Sequence, residues 1–407
     1  MKNSHNYKQT EIGKIPKEWE IVRLGDISDK IYYGITAKAT EKNTGIRMLR
    51  TTDIKNYSAN WSNLPFCEIT EKRNDLGKYL LKKGDLIVAR AGTVGVSVLV
   101  ERDFNDTIFG SYLIKIKPKP EANSKFLHYF FQSHTFWRHL LGAQGSTMKN
   151  INLPLLKSLQ LSLPPLPEQQ KIAEILSTVD QAIEKVDDSI AKTERLKKGL
   201  MQELLTKGLP VASATQTGIG HKEFKNTEIG RIPKEWEVVR LGEVFSLEYG
   251  KGLTEKEREN GEYPVYGSNG VVGYHSQYIV KGPGIIVGRK GTIGAITWSD
   301  RNFWPIDTTY YILLKKHKTV LKWLFYKLSS LKLAKLNMAT GTPGLNRDLV
   351  YKLKLPLPPL PEQKKIAEIL STVDKRLVLL RNKKERLGRV KKGLMNDLLT
   401  GKRRVKV

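Results

Sequence analysis

Few groupings in this 407-residue chain have the residue types and spacing that chemistry needs. Asp53-Ile54-Lys55 is half of a metal-dependent nuclease pattern, but no paired carboxylate stands where such a site would need one. His134 and His139 are five apart and lack an intervening glutamate, which excludes the zinc-peptidase helix. Asn63-Leu64-Pro65-Phe66 is the nearest string to the Asn/Asp-Pro-Pro-Tyr/Phe loop of adenine methyltransferases. Its second residue is wrong, and no glycine-rich cofactor loop precedes it. There is no G-x-x-x-x-G-K-[ST] phosphate loop. Gly267-Ser268-Asn269-Gly270 and Gly282-Pro283-Gly284 read as turns between strands, without the helix that a dinucleotide fingerprint requires. The single cysteine, Cys67, excludes an internal disulfide or a cysteine-based zinc site and reads as a small buried side chain. No catalytic, metal-binding or cofactor-binding residue is therefore expected, and the chain is predicted not to be an enzyme by itself.

Binding chemistry is better represented. The chain has 69 Lys+Arg against 41 Asp+Glu, formally +28, and such a field attracts polyanions, with nucleic acid the default partner. Residues 1–167 carry 25 basic and 15 acidic groups, and residues 208–361 carry 22 and 13. Residues 168–207 are near neutral, with 7 and 8, whereas 362–407 carry 15 and 5, ending in Lys402-Arg403-Arg404, a run that suits a phosphate, an acidic partner or a solvated tail.

Within the basic blocks, Arg90 and Arg289 each stand two residues before Gly-Thr-Val/Ile-Gly, so Thr93 and Thr292 also match. An arginine beside a tight glycine turn suits a phosphate grip, with Lys290 next to it; a structural ion pair within the lobe is the alternative. Residues that differ between the blocks are the better candidates for reading bases. These are Thr36, Lys38, Arg50, Thr51, Thr52 and Asp53 in the first, and Lys251, Tyr266, Gly267, Ser268, Asn269, Tyr274 and His275 in the second.

The elements that must position these residues are duplicated. Residues 163–180, Leu-Pro-Pro-Leu-Pro-Glu-Gln-Gln-Lys-Ile-Ala-Glu-Ile-Leu-Ser-Thr-Val-Asp, return at 357–374 with one change, Gln170 to Lys364. Pro167 and Pro361 suit the first turn of a helix, which tolerates a missing N–H. From Ile172, steps of four and three reach Leu176, Val179, Ile183, Val186, Ile190, Thr193, Lys197, Leu200 and Leu204; eight of these ten are apolar, as are eight of ten from Ile366 to Leu398. A repeat of 3.5 residues sustained this far predicts a coiled-coil seam, with each helix the other's partner. Thr10–Ile27 also returns at Thr227–Val244 with four conservative changes. The offset is 227 − 10 = 217 there and 357 − 163 = 194 at the helix, so the second half is 217 − 194 = 23 residues shorter, all in the β-patterned middle.

In those middles, Leu86–Arg90 and Val94–Val100 flank the first Gly-Thr turn, Tyr112–Lys117 alternates like a half-buried strand, and Gly284–Arg289 and Tyr310–Leu314 are their counterparts. Helical stretches are expected at Lys125–Leu141 and Thr319–Leu336, followed by small-residue loops Gly145-Ser146-Thr147 and Gly341-Thr342-Pro343. Gly199 and Gly393 suggest a close helix crossing, a partner contact or local bending. The fold class is α+β: two tandem β-rich globular blocks, 1–167 and 227–361, joined by two long antiparallel helices, 168–207 and 362–407 with its basic tail, and a linker at 208–226, in a pseudo-two-fold repeat. The N-terminus, Met1 to Trp19, has no signal-peptide core, and the longest apolar tract, Leu86 to Val100, contains Arg90, so a cytoplasmic, membrane-free chain is predicted.

Two halves, each with Ile-Pro-x-x-Trp, a strand ending in Ala-Arg or Gly-Arg, a Gly-Thr-x-Gly turn, then Leu-Pro-Pro-Leu-Pro-Glu-Gln and a long helix, closely resemble the specificity subunit of type I restriction-modification systems. The resemblance covers nearly the whole chain. It implies two target recognition domains that each read half of a bipartite sequence in double-stranded DNA, with the helices fixing the gap. It also implies two methyltransferase (modification) subunits that bind S-adenosylmethionine, and restriction/translocase subunits that use ATP and magnesium; none of those cofactors would belong to this chain. A coiled-coil adaptor whose lobes bind only protein is the alternative from a different class.

Overall fold

The computed structural model of the chain describes residues 7–69, 73–144, 150–210, 220–315, 318–336 and 344–406. Outside them lie the Gly145-Ser146-Thr147 and Gly341-Thr342-Pro343 loops and residues 211–219 of the expected linker. The chain forms two compact units, residues 1–186 with 383–407, and residues 187–382. It passes from one to the other within each of two 39-residue helices, the central helix Leu166–Leu204 and the C-terminal helix Leu360–Leu398.

In the first unit a four-stranded sheet has the order Ser97–Leu99, Leu86–Ala89, Leu113–Pro118, Ser28–Tyr33. Leu86 and Val88 share a core with Phe126 and Phe130 of the helix Ser124–Gln132, while Ile87 and Ala89 pack with Leu49 and Phe109 on the other face. A strand covered on both faces needs no polar alternation, which accounts for the unbroken apolar run. The same cover corrects the half-buried reading of the neighbouring strand, where Leu113, Ile114, Lys115 and Ile116 are all buried. Lys115 is accommodated there because its Nζ lies 2.9 Å from Asp85 and donates to the Leu80 carbonyl.

The second unit repeats this topology with Ile296–Ser299, Gly284–Gly288, Thr309–Leu314 and Phe245–Tyr249. Ile285 and Val287 join Trp323 and Leu324 of the helix Leu321–Ser330, and Ile286 meets Tyr266 and Phe303. Each lobe also has a smaller sheet built on one parallel pair: Arg47–Leu49 beside Thr107–Phe109, and Tyr263–Gly267 beside Trp304–Pro305.

The duplicated proline string is a clamp between lobe and helix. Glu168, 2% exposed, accepts from the Trp19 indole Nε1 at 3.0 Å, and Glu362, 1% exposed, accepts from Trp236 Nε1 at 2.8 Å. Gln169 accepts from the Asn123 amide and donates to the carbonyls of Glu121 and Pro164; Gln363 does the same with Val320, Lys318 and Pro358. Three prolines per copy add no N–H donors where the chain leaves the sheet for the helix. The remaining acceptor capacity of each carboxylate is filled differently. Arg404 Nε and Nη2 donate to Glu168 at 2.7 and 2.9 Å, whereas His221 Nε2 at 2.8 Å and the Leu209 amide at 2.9 Å meet Glu362. One arginine of the basic C-terminal run is thus engaged by this clamp.

Within each unit the two helices run antiparallel. In the first, Asp180 pairs with Lys391 at 2.7 Å, and Ile172 and Leu176 share a core with Met395 and Leu398. In the second, Lys197 pairs with Asp374 at 2.6 Å, Glu194 with Arg381, and Leu204 shares a core with Ile366 and Leu370. All ten seam residues of the central helix are buried or half-buried, and on the C-terminal helix Lys384 alone of the ten is exposed. Gly199 and Gly393 are exposed, and a Cβ on either would meet nothing within 4 Å, so neither marks a close crossing. No helix among the described residues is long and apolar enough to cross a membrane.

One buried group makes the first unit sensitive to pH. His128 has its Nδ1 buried without a hydrogen-bond partner among the described residues, and burial, reinforced by Lys391, pushes its pKa down to about 4 despite Asp180. The unfolded chain takes up this proton near pH 6.5, so the contribution is intact above that pH and is lost as pH falls toward 4. From pH 7 to 5 the unfolding free energy is expected to drop by about 2 kcal/mol through this residue. Denaturant titrations of the His128→Gln variant should show that fraction of the pH dependence removed.

Candidate nucleic-acid interface

The matched Gly-Thr turns have one conformation in both lobes. Gly92 and Gly95 have φ of +75° and +82°, and Gly291 and Gly294 have +72° and +71°, the left-handed region that glycine enters without a Cβ penalty. Gly95 N donates to the Ala89 carbonyl and Gly294 N to that of Gly288, each at 2.8 Å, which closes the turn. Thr93, Thr292 and Lys290 are exposed. Behind each turn the matched arginine is half-buried and braced by tyrosine. The Arg90 guanidinium lies 4.3 Å from the Tyr33 ring centre; Arg289 lies 5.2 Å from Tyr249 and donates through Nε and Nη2 to the Asp307 carbonyl.

The unmatched stretches lie against these turns at one topological position. Arg50-Thr51-Thr52-Asp53 follows the strand Arg47–Leu49, and Gly267-Ser268-Asn269 closes and follows the strand Tyr263–Gly267; these are the members of the two parallel pairs that the Gly110 and Ile306 amides address, at Leu49 and Tyr266. Thr51 Oγ1 is 3.7 Å from where a Cβ on Gly92 would stand, and Ser268 Oγ is 3.1 Å from the same point on Gly291. A shared turn and a private loop are therefore side by side in each lobe.

Thr36, Arg50, Thr51 and Thr52 line a concavity of about 410 Å³ together with Tyr112, which is 64% exposed. Lys38 is exposed on the strand Lys38–Thr40 opposite Glu68. Lys251 is exposed, its ammonium 5.9 Å from the Trp304 ring centre. Asn269 and Tyr274 are exposed, and Ser268 is half-buried. Tyr266 and His275 are corrections. Tyr266 is 7% exposed and packs on Phe303; His275 is 6% exposed, accepts from the Glu259 amide and meets Trp304 edge to face, so neither side chain is presented to a ligand. Both lie in strands, Tyr263–Gly267 and Gly270–His275, that flank the turn, at positions the fold covers.

Sequence reasoning did not find Tyr112, whose exposure only the sheet reveals, nor the fork between Arg50 and Asp53, for which their i,i+3 spacing was a readable signal. Asp53 Oδ2 and Oδ1 accept from Arg50 Nε and Nη2 at 2.9 and 2.8 Å. Among the described residues no group of three His, Cys, Asp or Glu is placed to hold a metal ion.

Comparison with known proteins agrees with this duplicated plan. The family model described as the type I restriction modification DNA specificity domain matches twice, over residues 16–194 and 233–389. The type I restriction enzyme MjaVIII specificity subunit of Methanocaldococcus jannaschii is 29% identical over 98% of this chain and 96% of its own. The chain assigned as the MjaX specificity subunit of that organism is 30% identical over 98% and 97%. The crystal structure of a type I restriction-modification system S subunit from M. genitalium superposes with a TM-score of 0.65 at 18% identity, covering 98% of both chains, a likeness of fold. Two matched stretches, each with its Gly-Thr turn, its clamp and its share of a long helix, leave little of the chain unassigned: it belongs to the type I restriction-modification DNA specificity family.

Proposed function

We propose that this chain is the sequence-specific DNA-binding specificity subunit of a type I restriction-modification complex, each lobe reading one half of a bipartite, asymmetric site while the helices set the gap. The observation that carries the reading is the pairing, in both lobes, of a matched Gly-Thr turn with an unmatched loop, Thr51 beside Gly92 and Ser268 beside Gly291. Phosphate contacts position a protein and base contacts specify a sequence, so a common grip beside differing loops suits two different half-sites. The excess of 69 basic over 41 acidic residues supplies the attraction. In this reading the chain performs no chemistry. Two modification subunits would supply S-adenosylmethionine-dependent methylation, and restriction/translocase subunits the ATP- and magnesium-dependent steps. Leu196, Val378, Leu379 and Val390, exposed on the long helices, are apolar surface available to such partners.

The test is a binding-site selection with the assembled complex, alongside methylome sequencing of cells with and without the chain. A two-part motif that disappears with the chain is expected. Retention on immobilised duplex DNA that is lost between ~50 and ~200 mM salt is expected, and no retention even at ~50 mM would favour the protein-only adaptor. Within the same assay Arg289→Ala, which removes a cation at the shared turn, should weaken binding to all sequences alike and lower the salt slope by about one. Relaxation of a single base position with the slope unchanged would contradict a shared grip.

A further inference from the structure

The Arg50–Asp53 fork differs from every other arginine site near the turns. Asp53, its side chain 14% exposed, takes Nε and Nη2 of Arg50 and also accepts from the Arg50 amide at 2.9 Å, while its own amide donates to the Arg50 carbonyl at 3.1 Å. Two of these four hydrogen bonds fix the guanidinium plane, and the two through the Arg50 main chain fix the turn that carries it. The side chain remains 41% exposed, and Nη1 makes no hydrogen bond to any described residue. The edge formed by Nη1 and the second Nη2 hydrogen is therefore left with two parallel donors free for a ligand, on a side chain that lines the same concavity as Thr36 and Tyr112.

We infer that Arg50, held by Asp53, reads a guanine in the half-site bound by the first lobe; this rests on the DNA-binding reading above. Two parallel donors match the O6 and N7 acceptors of guanine in the major groove, whereas adenine offers one acceptor and one donor there. Charge argues against the competing role of phosphate grip. Asp53 nearly cancels the charge of Arg50 at close range, so the pair attracts a phosphate weakly, while its two free donors keep their direction and spacing. A cation meant for phosphate gains nothing from a carboxylate at 2.8 Å. Capping of the turn accounts for the bond from Asp53 to the Arg50 amide but not for the free edge. In the second lobe the corresponding loop is Gly267-Ser268-Asn269, without an arginine, so the device belongs to the first half-site alone.

The experiment is the same binding-site selection, with the full chain in its complex, for the natural protein, Arg50→Ala, Asp53→Asn and the double variant Arg50→Ala/Asp53→Ala. Melting curves accompany each, and the double variant guards against a lone buried Asp53 that unfolds the lobe. Arg50→Ala and the double variant are expected to lose about 10- to 100-fold discrimination at one G·C pair of one half-site, with the other half-site and the salt slope unmoved. Asp53→Asn should lose part of that discrimination. Equal weakening on all sequences with a shallower salt slope would make Arg50 a phosphate contact and overturn the inference. A folded double variant with an unaltered motif would overturn it as well. If the natural complex selects no motif, the DNA-binding reading has failed instead, since that result does not depend on Arg50.

Discussion

Glu362→Leu is expected to destabilise the second unit by about 3–5 kcal/mol, more than the equivalent Glu168→Leu destabilises the first. The carboxylate of Glu362 is buried and accepts from the Trp236 indole, His221 Nε2 and the Leu209 amide. Leucine has similar volume but accepts nothing, so three buried donors lose their partner at once, each at a cost of roughly 1–3 kcal/mol. Around Glu168 the loss is smaller, about 1–3 kcal/mol. There Arg404, its side chain 36% exposed, can turn to water or keep Glu18, and only the Trp19 indole is stranded. Equilibrium unfolding in denaturant of the two variants and of Glu362→Gln, which keeps an acceptor oxygen, gives the comparison. Equal costs at the two sites, or a Glu362→Leu protein within 1 kcal/mol of the natural one, would show that the clamp is not held by this carboxylate.

Inserting one heptad after Val186 and another after Asn382 is expected to reduce affinity for the natural site toward the non-specific level, a loss of about 10³- to 10⁷-fold. These are the positions at which the chain passes between units, so the ion pairs Asp180–Lys391 and Lys197–Asp374 are retained inside their own units. Seven residues make two turns and preserve the phase of the seam to within about 20°. Each helix lengthens by about 10.5 Å, close to three base-pair steps of ~3.4 Å. Sites recovered by selection should keep both half-site sequences and differ in the gap. Their affinity is expected to be partial, because three base pairs also turn the second half-site by about 100° around the duplex. Undiminished preference for the natural gap in a folded double insertion would remove the helices from the measurement of that distance.

Much of this protein is determined by its sequence because it is written in local, periodic signals. The 3.5-residue repeat from Ile172 to Leu204 names the side chains that the central helix buries, since helical geometry alone decides which residues share a face. The two near-identical repeats establish two lobes of one topology, and the Gly-Thr turns have left-handed glycines in both. The expectation that the chain carries no catalytic constellation likewise rests on residue types and spacing.

What only the tertiary structure decided depends on contacts far apart in the chain. Leu-Pro-Pro-Leu-Pro-Glu-Gln announces a helix start, but its glutamate is a buried acceptor for a tryptophan 149 residues away at Glu168 and 126 away at Glu362, which no local pattern encodes. Arg404 sits in what reads as a basic tail and is engaged by Glu168, 236 residues earlier. Tyr266 and His275 differ between the halves as a reading residue should, yet are buried, because which side of a strand is covered depends on what packs there. The fork of Arg50 and Asp53 lies between these cases. Its spacing is local, but its free edge exists because the parallel strand pair places that turn beside Gly92, where the fold brings a shared grip and a private loop together.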